Sequence, residues 1–264
     1  MINRTPDSFF DRGATYGFGA ALRSVGRAVA AGADIVDIGG VKAGPGDPVD
    51  AAEEIRRVAG LIGAVRQRHP DLVISVDTWR AEVADAAAAA GADLVNDTWG
   101  GADRDLAAVA AARGTGLVCA HAGGLAPRAG PHRPGYPDLL ATVIAQVTAE
   151  AERALAAGVR QEAILIDPAP DFNKTTWHSL ELIRSLGELC RTGWPVLAAV
   201  SNKDFVGEAL DLPTAERGEG TMAALAICAW QGARVFRVHD VPGARRALAV
   251  TGRTAGAAAQ LAGR

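Results

Sequence analysis

Short apolar runs rich in β-branched residues alternate along this chain with longer, alanine-rich stretches of helical spacing. Three junctions share one design: Ala30 to Gly40 (AAGADIVDIGG), Ala89 to Gly100 (AAGADLVNDTWG) and Gln231 to Asp240 (QGARVFRVHD). In each, a helical stretch stops at glycine, a short strand follows, and a polar residue stands where the strand ends. Glycine just past a helix supplies a left-handed cap. The same pattern predicts strands at 72–77, 116–121, 163–167 and 195–201, seven in all with 34–39, 93–97 and 234–240. Helical spacing predicts helices near 17–31, 49–68, 80–90, 103–113, 137–157, 178–192, 219–231 and 243–260. Repeated strand–helix alternation implies βα units and a parallel sheet. Eight helices ask for an eighth strand, and Met1–Asn3 reads as its stub. The expected fold is therefore α/β: a (βα)8 TIM barrel with a truncated first strand, one domain over 1–264. An open doubly wound sheet is the alternative, but no GxGxxG follows any strand.

Composition narrows the function. A net charge of −3 leaves no electrostatic footprint for nucleic acid or a membrane surface. Cys119, Cys190 and Cys228 form neither a CxxC nor a zinc spacing, which favours a reduced, cytoplasmic protein. No run of ~18 apolar residues occurs, so no membrane span is expected, and MINRTPDSFFDRG has no signal-peptide core.

Chemistry concentrates at the predicted strand ends. These carry Asn3, Asp37, Asp77, Asn96, Asp97, His121, Asp167, Ser201, Lys203, Arg237 and His239. Singly, each has a plain structural use. Asp77 with Thr78, or Asp97 with Thr98, would cap the next helix, and Asp167 before Pro168 would open a turn. Jointly they point to function, because a barrel gathers its strand ends at one mouth. Asp77, Asp167 and Asn96 can read a flat heterocycle that offers donors and acceptors, and Lys203 can donate to a ring carbonyl or nitrogen. Arg237 and His239 sit two apart, face one side, and suit a phosphate or diphosphate. Three long loops, 4–16, 40–48 and 123–137, are candidate lids. The glycine-rich GGVKAGPG lacks the GK[ST] ending of a P-loop.

At these residues the chain resembles dihydropteroate synthase. NRTPDSFFD resembles that family's opening N-x-T-P-D-S-F, and DIVDIGG, ISVDT, NDTWGG, ILIDP, VSNKDFVG, Gly220-Thr221 and RVHDV follow in family order over nearly the whole chain. The resemblance implies a (βα)8 barrel, usually a homodimer. It implies a transferase of folate biosynthesis that joins dihydropterin-CH2-diphosphate to p-aminobenzoate with Mg2+. Asp77, Asn96, Asp167 and Lys203 would bind the pterin. Arg237 and His239 would handle diphosphate, and Asn3 the metal; Lys203, Arg237 and His239 would carry the catalysis. Asp7 and Asp11 would belong to the first loop. Phe172, Pro45 and Asp204 would border the pocket of the second substrate.

The sequence departs from the family on that second-substrate side. The family's ESTRPG reads Val41 to Gly46 here, without its arginine; Lys42 restores the charge but not the bidentate geometry. SRKS reads Ser201, Asn202, Lys203, Asp204, and DPGIGFGK reads DPAPDFNK, which adds Asp171. The family's methionine-flanked histidine after strand five reads AHAGG. An aspartate at 204 is expected to oppose a substrate carboxylate, by roughly 4 kcal/mol for two charges about 4 Å apart near a surface. Two readings stand: a working synthase, or a divergent pterin-binding paralogue with little synthase activity or a neutral or cationic amine as acceptor. A Schiff-base lyase through Lys203 ranks below both, because the surrounding Asp and Asn residues should keep that lysine protonated.

Overall fold

The computed structural model describes residues 1–6, 13–129 and 134–254. Asp7 and Asp11 lie outside the described residues, as does the end of the last expected helix. β1 (Ile2–Asn3), β2 (Ile35–Gly39), β3 (Val73–Asp77), β4 (Leu94–Asp97), β5 (Gly116–Ala120) and β6 (Ile164–Asp167) pair in parallel, in chain order. β7 (Leu197–Ala198) and β8 (Val235–Phe236) form a second parallel pair. A bridge from Ile166 to Val196 joins β6 to the β7 segment. On the other side the Met1 nitrogen donates to the Val238 carbonyl at 3.1 Å. The eight strands thus follow one another around a (βα)8 barrel, with β1 reduced to two residues.

The glycine stops behave as the pattern predicts. Gly32, Gly91 and Gly232 have φ of 88°, 111° and 115°, a region costly for any residue with a Cβ. They end α1 (Phe18–Ala30), α3 (Ala81–Ala89) and α9 (Gly218–Gln231). Between these lie α2 (Ala51–Arg68), capped by the Asp50 carboxylate on the Glu53 N–H, α4 (Leu106–Arg113) and α5 (Leu139–Ala156). The helix expected at 178–192 breaks at Ser185 into α6 (Thr176–Arg184) and α7 (Leu186–Cys190). α8 (Asp204–Leu210) is a helix the pattern did not predict, and α10 (Val241–Gly252) closes the described chain. The strand expected at 195–201 shortens, because Asn202 turns at φ 54° into α8. Among the described residues no helix is long and apolar enough to cross a membrane.

Period-two alternation sorts the side chains. Ile74 and Val76 are fully buried in the outer core with Val58, Leu61 and Ile62 of α2. Ser75 and Asp77, between and after them, take polar partners inside the barrel. The barrel floor is a separate small cluster of Leu94, Val118, Leu197 and Ala199, with Leu165 and Val235 against it. Above that floor the inward positions become polar, which builds a mouth at the strand C-termini.

Close strand packing yields a test. A Cβ on Gly116 would lie 2.6 Å from the Ala163 carbonyl oxygen and 2.9 Å from a Leu94 methyl. Gly116→Ala is expected to destabilise the fold by about 1–3 kcal/mol through overpacking, read as a lower urea midpoint at unchanged slope.

Candidate active site

One cation organises the mouth. Arg237, just past β8, donates through Nε to Asp37 at 2.5 Å and through Nη2 to Asp77 at 2.6 Å. Asp37 lies on β2 and Asp77 ends β3, so the guanidinium links three strands. Asp37 also accepts from the Ser75 hydroxyl at 2.7 Å and the Asn96 amide at 3.3 Å. Asp77 accepts from the Thr98 hydroxyl at 2.7 Å. At Asp37 burial opposes the charge, but Arg237 and Ser75 outweigh it and hold the carboxyl below its usual range. At Asp77 burial wins over Arg237, and with the neighbouring Asp37 charge pushes the carboxyl up to about 6. One guanidinium between two acids produces this split.

Asp167 ends β6 beside this cluster, and its charge acts on both Arg237 and Asp77. Its carboxylate accepts the Ala169 N–H at 2.7 Å, and burial raises its pKa against Lys203 and Arg237. Asp97 differs from the other strand-end acids. It takes the N–H groups of Trp99 (3.1 Å) and Gly101 (2.6 Å) and lines an outer crevice with Leu106 and Arg153. It is a loop cap rather than a wall of the mouth.

The β6 exit loop builds the other side. Ala169, Asp171 and Asn173 all have positive φ (46°, 72° and 49°), which costs free energy for residues that are not glycine. Lys174 holds the loop in this shape. Its ammonium donates to the carbonyls of His121 (3.1 Å), Ala169 (3.1 Å) and Phe172 (2.8 Å), and lies 2.8 Å from His121 Nδ1. Burial, then Lys203, pulls Lys174 down to about 7; burial, then Lys174, pulls His121 down to about 3. His121 is thus a neutral ring whose Nδ1 accepts. The pinned loop turns the Phe172 ring edge-on to Trp99, 5.5 Å between centroids, and Trp99 in turn meets Trp79.

Lys203 lies across that ring, its amine 4.9 Å from the Phe172 centroid and bonded to the Pro170 carbonyl. Burial lowers its pKa, and Asp171 and Asp167 oppose that shift. The two acids therefore do not by themselves set the state of this lysine.

The Asp204 side chain is 77% exposed and pairs with Arg217 at 2.8 Å, and its charge still reaches Lys203. The more buried of the two acids is Asp171. Its Oδ2 accepts the N–H of Asp204 at 2.7 Å and of Phe205 at 3.4 Å, and its Oδ1 accepts from the Ser179 hydroxyl at 3.1 Å. A carboxylate from one loop thereby starts α8, which explains why the helix begins where it does.

The remaining expected residues lie around the rim. His239 Nδ1 is 2.9 Å from the Ser201 hydroxyl, which also receives the His239 N–H. Asn3 stands at the β1 end, and its carbonyl accepts from Thr15 at 2.8 Å. Pro45 is exposed on the loop after β2. That loop is tied to the one after β5 by Arg128, which donates to the carbonyls of Gly44 (3.2 Å) and Asp47 (2.7 Å). Below the mouth a cavity of about 470 Å³ runs from Asp37, Asn96 and Arg237 along the seam between β8 and β2 to α1 and α10. Along that seam β1 pairs with Ile38 and Gly39 of β2.

Sequence reasoning missed Ser75, Thr98, Lys174 and Arg217. Ser75 was readable, two residues before Asp77 and so on the same face. Lys174 and Arg217 act across loops whose shape no local pattern encodes.

Comparison with known proteins gives a consistent result. A family model described as pterin binding enzyme matches residues 1–239. A Mycobacterium tuberculosis protein named inactive dihydropteroate synthase 2 is 58% identical over 252 residues, 94% of this chain and 79% of its own. The Yersinia pestis dihydropteroate synthase, solved in a sulfonamide drug complex, superposes with a TM-score of 0.90 at 35% identity, covering 97% of this chain and 92% of that one. The Coxiella burnetii dihydropteroate synthase, solved with pteroic acid, gives 0.88 at 30% identity over 97% and 92%.

Removing the central cation should cost stability in a pH-dependent way. Arg237→Met leaves two buried carboxyls without a counter-charge, an expected loss of about 3–5 kcal/mol at pH 8. Asp77 already binds its proton near 6 in the folded chain, against an ordinary value of 3.8. Without Arg237 both acids lose the charge that lowers their pKa, so the folded variant takes up protons at higher pH than the wild type and its burden lessens more as pH falls. The gap between variant and wild type should therefore narrow at pH 5, measured by denaturant unfolding at both pH values.

Proposed function

The chain belongs to the pterin-binding enzyme family, and on that premise we propose that its barrel mouth is a dihydropterin diphosphate site of the dihydropteroate synthase type. The observation that carries this is the convergence of Asn96, Asp167, Lys203 and the Arg237–Asp77 pair at one mouth. Asn96 offers an amide, Asp167 an acceptor and Lys203 a donor to the edge of a fused heterocycle. The flat guanidinium of Arg237 offers a stacking face while its edges stay locked to two acids.

The chemistry follows from charge. The bond from the pterin methylene carbon to diphosphate oxygen breaks, and its electron pair leaves with diphosphate. Positive charge builds on the pterin, where Asp77 and Asp167 stabilise it. The amine nitrogen then forms the new C–N bond with its lone pair and releases a proton. His239 stands at the rim where diphosphate departs, held by Ser201. Among the described residues no group of three or more His, Cys, Asp or Glu could hold a metal. Mg2+ binds few side chains and takes phosphate oxygens and water; Asn3, at the end of β1, would be its ligand here. When bound, the ion would neutralise charge on the leaving diphosphate.

A second reading concerns turnover. The relative named inactive and the half-buried Asp171 both favour a chain that keeps the pterin half of the site and uses p-aminobenzoate poorly. Calorimetry with dihydropterin diphosphate, followed by an assay for dihydropteroate after adding p-aminobenzoate, separates the two. Saturable pterin binding with slow product formation is expected. No pterin binding would overturn the site itself; product at an ordinary enzyme rate would overturn only the second reading.

A further inference from the structure

We propose that Asp171 selects the acceptor: its fixed carboxylate turns away amines that carry an acid group and favours neutral or cationic aromatic amines. The inference rests on the pterin-site reading and names the second substrate class of that site. It begins from what stands beside the Phe172 ring. The Lys203 amine lies over it, and Asp171, the residue before Phe172, accepts the backbone N–H groups of Asp204 and Phe205. Asp171 takes both N–H groups with a single oxygen, and its charge acts on Lys203.

The carboxylate is held from several directions. Ser179 donates to its other oxygen and accepts the Asp171 N–H at 3.0 Å. Its backbone sits at φ 72°, in a loop whose carbonyls on either side are bound by Lys174. Swinging Asp171 aside would leave two N–H groups and a hydroxyl without an acceptor, a costly arrangement for partly buried groups. An incoming benzoate-type acid would therefore meet a standing negative charge that already takes the Asp204 and Phe205 N–H groups. Asp204 contributes less, because its carboxylate is paired with Arg217 and largely in solvent, although its charge still reaches Lys203 and Asp171.

The charge penalty has a scale. Two like charges about 4 Å apart, at an effective dielectric near 20, repel by an amount worth on the order of a thousandfold in affinity. Solvent and salt reduce this, so a preference of roughly tenfold or more is expected. A neutral amine escapes the penalty, and a cationic one reverses its sign.

The test uses the purified full chain loaded with hydroxymethyl-dihydropterin and inorganic diphosphate, which do not react further. Calorimetric titration then compares p-aminobenzoate, p-aminobenzamide and p-aminobenzamidine. The amide and amidine should bind at least about tenfold tighter than the acid. Asp171→Asn keeps the shape and one acceptor oxygen; it should bring the three within about threefold, mainly by strengthening the acid. Asp204→Asn should leave the wild-type order unchanged. Wild-type preference for the acid, an unchanged order in Asp171→Asn, or no binding of any amine to the loaded chain would overturn the assignment. If Asp171→Asn does not fold, the wild-type preference must shrink as salt rises, and a salt-independent ratio overturns it. Failure of the pterin itself to bind appears before any amine is added and counts against the underlying reading instead.

Discussion

A single guanidinium shared by two carboxylates holds the mouth of this barrel in shape. Arg237 follows the last strand, while Asp37 and Asp77 lie on the second and third. The contact therefore spans the seam where the strand ladder is weakest. Ser75, Asn96 and Thr98 donate to the same two acids, so the cluster is bonded as a network and not as isolated pairs. The shortage of positive charge is equally informative. With one cation for two acids, Asp37 stays ionised and Asp77 is left near the point of protonation. A site that must stabilise a passing positive charge benefits from such incompletely neutralised acids.

The two sides of the mouth are built by different means. The side formed by Asp37, Asp77, Asn96 and Asp167 is made of strand ends, whose position follows from the barrel. The Phe172 side is made of loop, and its shape depends on Lys174 inserted among three carbonyls. Strand-borne residues keep their geometry when loops change, whereas a loop can acquire an acid such as Asp171 without disturbing the sheet. That difference lets the strand-borne residues of the mouth stay in place while its loop side varies.

It also accounts for what could be read in advance. Strand ends were legible because glycine stops and period-two alternation are local signals, and Gly32, Gly91 and Gly232 sit where the repeat puts them. The (βα)8 order followed from counting those units. α8 was not legible, because its first N–H groups are capped by Asp171, 33 residues earlier. For the same reason Asp204 could not be oriented: the resemblance set it at the second-substrate pocket, while its carboxylate pairs with Arg217, 13 residues on. Local sequence carries periodicity, and ion pairs between loops carry none.

The Arg237 clamp has a mechanical consequence. Its guanidinium follows the last strand and holds acids of the second and third, so it fastens the end of the strand series to its beginning. The fastener that closes the ring is also a wall of the mouth, and a change that loosens one loosens the other.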